Sequence, residues 1–187
     1  MSCFNRGNIK MQHTWVFWIA TPPANPSDLS DRSPEEKMTF NTLYGLNEAV
    51  KELIRTAEMG MGEGHYFFKQ GAVPVLHHHS NERGGRWTFE FGDRRLTDLS
   101  SFIHTMMTID RVSGLREDDE ILGLAIHLDL SRVSLWTRTA NCNSTLQVVG
   151  AWFNVAMNLE RGQTIAFNSN MDIGTIGRNP DRTATKM

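Results

Sequence analysis

Three imidazoles stand side by side at His77, His78 and His79, shortly before 83-RGGRW-87, a glycine pair between two arginines. Imidazole is a common zinc ligand, and the planar guanidinium fork suits phosphate or carboxylate. Consecutive residues of a loop or strand point different ways, however, so three successive imidazoles do not converge on one ion. No Cys-x-x-Cys pair, HExxH pattern or carboxylate cluster accompanies them, and zinc hydrolysis needs such a base. The triplet is therefore expected in a solvated loop, without a metal. The segment 60-GMGEG-64 lacks the Lys-Ser/Thr that follows a phosphate-binding glycine loop, and no G-x-S-x-G elbow is present. Neither enzymatic activity nor a cofactor is expected.

The elements that must position these groups come from a chain of 187 residues, 40% hydrophobic and 21% charged, a composition suited to one globular domain. The net charge of −2 excludes a broad basic face, so any nucleic-acid contact has to be a local basic pocket. Cys3 and Cys142 are too few for a disulfide framework, and a reduced, intracellular protein is expected. The apolar run 15-WVFWIA-20 is too short for a secretory signal, and no run reaches the roughly 18 apolar residues of a membrane span.

Residues 14–20 read as a buried strand, and 21–34, which holds four of the six prolines, as a loop. Ser33, Pro34, Glu35 and Glu36 look like a helix start, with a helix through Met38, Phe40, Leu43 and Tyr44 that stops near Gly45. A second short helix would follow through Ala49, Leu53 and Ile54. Strands are expected over 65–70, from Trp87 to Phe91, over 121–130 and over 132–139, the last two forming a hairpin. Leu96–Ile109, capped by Thr97, and Thr145–Leu159 read as amphipathic helices, Thr164–Phe167 as a final strand and 170–187 as a mobile tail. Strands and helices mix without a βαβ repeat, which argues for an antiparallel sheet with helices on one face. Trp15, Trp18, Trp87 and Trp152 read as core packing. Trp136, at a strand end beside Thr137 and Arg138, is placed where a sheet face can open into a pocket.

The motifs fall in a particular order: W-x-x-W (Trp15, Trp18), F-x-T-L-Y (Phe40 to Tyr44), F-K-x-G-x-x-P (Phe68 to Pro74), R-G-G-R-W (Arg83 to Trp87) and L-W-T (Leu135 to Thr137). This order resembles the translation initiation factor 4E family of messenger-RNA cap-binding proteins, over about residues 12–175 of a single domain with flexible ends at 1–11 and 176–187. The resemblance implies an α+β fold, a curved antiparallel sheet with about three helices on its convex face and a concave face that binds 7-methylguanosine. Methylation makes the guanine cationic. Two indoles then sandwich it by stacking and cation–π attraction, a carboxylate reads its N–H edge, and arginine and lysine hold the phosphates.

Carried over by position, Trp136 matches the tryptophan that contacts the methyl group, Arg86 a phosphate-binding arginine and Arg132 a phosphate-binding lysine. The second stacking tryptophan and the guanine-reading glutamate fall on Leu76 and His77, and the 21–36 loop, where the first stacking tryptophan belongs, has no aromatic. A further phosphate arginine falls on Asp129. The resemblance also implies a dorsal site where a helical Tyr-x-x-x-x-Leu-Φ segment of a 4G-type scaffold or 4E-binding regulatory protein docks on the first two helices. The central tryptophan of that site falls on Asn41, near Lys37 and Phe40, with Ile103, His104 and Met107 on the second helix. Two readings follow. One is a cytoplasmic initiation factor that binds capped mRNA and a scaffold, supported by Trp136, Arg86 and Arg132. The other is an interaction module or translation regulator with a degenerate cap pocket, suggested by the missing tryptophan pair.

Overall fold

The computed structural model describes residues 9–20, 34–59, 64–76, 78–91, 99–113, 120–128, 131–141, 143–159, 162–173 and 185–186. In chain order the elements are β1 (Lys10–Ala20), β2 (Glu35–Thr42), α1 (Leu43–Glu58), β3 (Gly64–Lys69), β4 (Gly85–Glu90), α2 (Leu99–Ser113), β5 (Ile121–His127), β6 (Arg132–Thr137), α3 (Asn143–Ala156), β7 (Ala166–Ser169), α4 (Asn170–Ile173) and β8 (Thr185–Lys186). All strands pair antiparallel in one sheet of order β2-β1-β3-β5-β6-β4-β7-β8. The expected architecture, a curved antiparallel sheet with three long helices on its convex face, is the observed one.

Alternation along each strand divides its side chains between the two faces. On the helix side, Phe17, Phe67, Leu124, Leu135 and Trp87 follow one another across the register from β1 to β4. They meet Leu46, Ala49, Val50 and Leu53 of α1, Phe102, Met106 and Ile109 of α2, and Leu146, Val149 and Phe153 of α3 in the main core. The α1 set has the spacing of a single helical stripe. A buried polar bond also ties each long helix to the sheet. Thr56 Oγ1 of α1 meets His65 Nε2 at 2.8 Å, Asp110 of α2 accepts from Trp15 Nε1 at 2.8 Å, and Trp87 Nε1 donates to Leu146 O of α3 at 3.2 Å.

Several expectations are corrected here. The segment read as a first helix is the strand β2, and the second short helix is part of the longer α1. Met38 and Phe40 do lie at helical distance from Leu43, but they also alternate, and pairing of β2 along β1 (Val16 with Thr39, Phe17 with Met38) decides between the two patterns. The helix cap is Thr42, whose Oγ1 accepts from Gly45 N at 3.1 Å. Ser33 lies outside the described residues. Lys37, Phe40 and Asn41 accordingly sit on an edge strand and not on a helix, and Phe40 is buried in the core.

Other bounds shift less. Helix α2 runs on to Ser113, while its expected start at Leu96 and Thr97 is outside the described residues; α3 ends at Ala156, short of Leu159. The strand expected at 164–167 is β7 at 166–169, and its pairing with β4 sets the register. Within the tail expected to be mobile, 170–173 is helical and Thr185–Lys186 pairs with β7.

Candidate functional site

On the face opposite the helices, cross-strand pairing lines residues up in rows. One row runs Val16, Phe68, Gly123, Trp136, Arg86 and Asn168; the next runs Trp18, Tyr66, Ala125, Ser134, Thr88 and Ala166. A third holds His127, Arg132 and Glu90, with Gly64 close against the His127 ring. The apolar end of these rows forms a second cluster of Ala20, Tyr66, Phe68, Ala72, Leu122, Ala125 and Trp136, with Trp18 and Leu76 packed on it. Gly123 lies between Phe68 and Trp136, and a Cβ there would run into the Phe68 ring. Without one, the two rings meet edge to face, with centroids 5.4 Å apart.

Trp136 is only 3% exposed, so the expected opening of the sheet beside it is closed over by Phe68, Leu76 and Arg86. The Arg86 guanidinium carbon lies 5.5 Å from the indole centroid, within cation–π range. Burial, and then the Arg132 charge, draw the Arg86 pKa below the usual guanidinium value, with Tyr66 opposing. Trp136 Nε1 is buried and has no acceptor among the described residues. Arg132 donates through Nη2 and Nε to Glu90 Oε1 at 2.7 and 3.1 Å, a solvent-facing ion pair.

From Arg86 a cleft of about 910 Å³ extends over β4, β6 and β7, lined among others by Thr88, His127, Arg132, Ser134, Gln163 and Asn168. Two guanidiniums and an imidazole, with the Glu90 carboxylate and several hydroxyl and amide groups, line one wall, a chemistry suited to hydrogen-bonding an anion. The structure thus brings Arg86, Arg132 and Trp136 together. His127 and Ser134 were missed in the sequence. The hairpin register would have found them, since His127 pairs with Arg132, and Ser134 is two residues from Trp136 on the same face. Asp129 lies outside the described residues.

The loop after β3 is built around Asn81, fully buried, which donates through Nδ2 to Val73 O at 2.7 Å and Val75 O at 2.8 Å and accepts at its backbone carbonyl from Asn170 Nδ2 at 2.8 Å. An asparagine between Ser80 and Glu82 in a polar loop gave no sequence signal of this role. The glycines of RGGRW are steric. A Cβ at Gly84 would meet Thr137 O, and one at Gly85 the Phe167 ring. Leu76 is half-buried against the Trp136 cluster, and His77 is outside the described residues. His78 bonds Ser80 Oγ through Nδ1 at 2.7 Å and lies against exposed His79, ring centroids 4.2 Å apart. Among the described residues no cluster of metal-ligating side chains occurs.

On the helix side, a hollow of about 150 Å³ is lined by Ile9, Lys10, Met11, Gln12, Leu43, Met107, Asp110 and Arg111. Ile9 and Tyr44 beside it are 54% and 59% exposed, large apolar groups left to solvent. Of the residues expected for a dorsal site, Met107 lines this hollow, Ile103 is half-buried and His104 exposed on the same helix. Asn41 is exposed on β2, and Lys37 there pairs with Glu35.

Among the described residues no helix is long and apolar enough to cross a membrane. The model of the eukaryotic initiation factor 4E family matches residues 10–184. Eukaryotic translation initiation factor 4E-1 of Schizosaccharomyces pombe is 23% identical over 185 residues, covering 94% of this chain and 84% of its own. The protein of the same name from Lactuca sativa is 24% identical, covering 90% and 71%. A crystal structure of a schistosome eIF4E complexed with m7GpppA and 4E-BP superposes with a TM-score of 0.77 at 22% identity, covering 96% of this chain and 98% of that one. An Ascaris suum eIF4E-3 with the m2,2,7G cap gives 0.65 at 18% identity, covering 86% and 91%.

Proposed function

The chain belongs to the eukaryotic initiation factor 4E family, and from that premise we propose that its concave cleft binds the 7-methylguanosine cap of messenger RNA. On the same reading its helix-side hollow docks a helical segment of a 4G-type scaffold or a 4E-binding regulatory protein. The role is binding in translation initiation in the cytoplasm, without turnover of the nucleotide.

The observation that carries this reading is the Arg86–Trp136 couple at the head of a cleft whose wall continues to Arg132. A cap is a cationic base followed by a chain of negative phosphates. The cleft offers the guanidiniums of Arg86 and Arg132 along one wall, and Arg86 in turn lies over Trp136. With Leu76 and His77 at the sandwich and carboxylate positions, the base is held without two indoles. Stacking on an aromatic contributes about 1–3 kcal/mol per base, so affinity rests chiefly on the phosphates. The shared fold of a schistosome eIF4E solved with m7GpppA and 4E-BP supports both halves of the proposal.

A tryptophan-fluorescence titration with 7-methyl-GTP against GTP tests the first half. The methylated nucleotide should bind more tightly, and Arg86→Ala should weaken both. Equal binding of the two, or none at millimolar ligand, would overturn the cap assignment. For the second half, a Tyr-x-x-x-x-Leu-Φ peptide should bind the wild type and lose affinity in Met107→Asp, with nucleotide binding unchanged.

A further inference from the structure

We infer that His127 makes anion binding in this cleft pH-dependent, completing with Arg86 and Arg132 a cationic wall whose hold on a phosphate chain strengthens as the imidazole takes up a proton. The inference rests on the cap-binding reading and specifies how that site is regulated.

His127 ends β5 and is the cross-strand partner of Arg132, which in turn faces Glu90 on β4. It lines the cleft together with both arginines and is half-buried there. Its ring is held edge-on by Tyr66, with centroids 5.7 Å apart and planes at 87°, and its Cε1 lies close against Gly64. The ring is thus a positioned part of the wall.

Among the described residues, the charged and titratable groups around it come from three strands. From β3 come Tyr66 and His65, from β6 Arg132, and from β4 Glu90 and Arg86; the cleft residues of the 163–168 segment, Gln163, Thr164, Ala166 and Asn168, carry no charge. The charge of His127 is felt through the sheet, where it helps to hold His65 neutral.

With the imidazole neutral, the described residues of the wall oppose two guanidiniums to one carboxylate, and Arg132 already gives much of its charge to Glu90. Protonation adds a full positive charge on the same wall. An ordinary imidazole makes this change near pH ~6.5. Anionic phosphates favour the imidazolium, so a proton is taken up on binding and affinity rises as pH falls through this range. At cleft distances and an intermediate dielectric, one added charge corresponds to a gain on the order of fivefold to tenfold.

The experiment is isothermal titration of wild type, His127→Gln and His127→Arg with 7-methyl-GTP and with inorganic tripolyphosphate, at about pH 8 and about pH 5.5, where imidazole is largely neutral and largely charged. Both ligands titrate in this range themselves, so the comparison between variants at each pH isolates the side chain. The wild type should gain affinity for both ligands at low pH relative to His127→Gln. His127→Arg should bind tightly at both values. Identical pH dependence in wild type and His127→Gln would overturn the inference and leave the cap reading standing. Binding of tripolyphosphate with the predicted dependence, but no binding of 7-methyl-GTP, would overturn the cap reading and keep the clamp. Failure of the wild type to bind either ligand at either pH would overturn both.

Discussion

Thr56 Oγ1 gives its hydrogen back to the carbonyls of Glu52 and Leu53, so it meets His65 Nε2 as an acceptor. His65 therefore carries its proton on Nε2, and its buried Nδ1 faces no partner among the described residues. A second proton would be buried without an acceptor. Burial, helped by the charge of His127, lowers the pKa from 6.5 to about 4. The unfolded chain protonates near pH ~6.5, where the native chain still resists, so stability is full above that value and falls as pH drops toward ~4, by on the order of 3 kcal/mol. Urea midpoints at neutral and mildly acidic pH should show this loss in the wild type and a smaller one in His65→Gln; equal losses would contradict it. Gly123 carries a second residue-scale prediction. Gly123→Val would push Phe68 off Trp136, destabilising the fold by about 1–3 kcal/mol and moving tryptophan emission to the red as the indole gains solvent.

Among the elements, α1 starts where Thr42 ends the alternation of β2 and caps the helix. Thr42→Ala should cost about 1 kcal/mol in thermal or urea unfolding. Helix α2 is held more firmly. The Asp110 carboxylate, 4% exposed, accepts from Gln12 N at 2.7 Å, His13 N at 3.1 Å and Trp15 Nε1 at 2.8 Å. Asp110→Asn puts an amide N–H where at least one of these donors pointed, and should destabilise by about 2–3 kcal/mol. It should also loosen the β1–α2 hollow and weaken peptide docking there.

The elements also mark how far the sequence could be read. Trp87-Thr88-Phe89 alternates and the Ile121 to Trp136 hairpin is rich in branched apolar residues, and the structure keeps those strands. Strand β2 was hidden because Ser33-Pro34-Glu35-Glu36 has the local chemistry of a helix start, and only pairing with β1, distant in sequence, overrides it. Trp136, Arg86 and Arg132 were legible through the motifs around them. His127 and Asn81 were not, since one is defined by cross-strand register and the other by backbone carbonyls eight and six residues away.

Over the whole molecule, the sheet separates two surfaces of different chemistry. A chain of net charge −2 gathers Arg86, His127 and Arg132 on the concave side, while the convex side buries aromatics under three helices and leaves Ile9 and Tyr44 beside a small hollow. The concave cations act locally, because screening at physiological salt limits their reach to about 8 Å. That distribution fits a ligand with its charge concentrated in a short phosphate chain. On that distribution the phosphates contribute more of the affinity than the base does. Calorimetric titration with 7-methylguanosine mono-, di- and triphosphate, with GTP as the unmethylated control, measures this division of affinity directly. On that division, affinity should climb steeply with each phosphate, 7-methyl-GTP should bind more tightly than GTP, and Arg86→Ala should flatten the climb. Equal affinity across the phosphate series, or no preference for the methylated base, would contradict it.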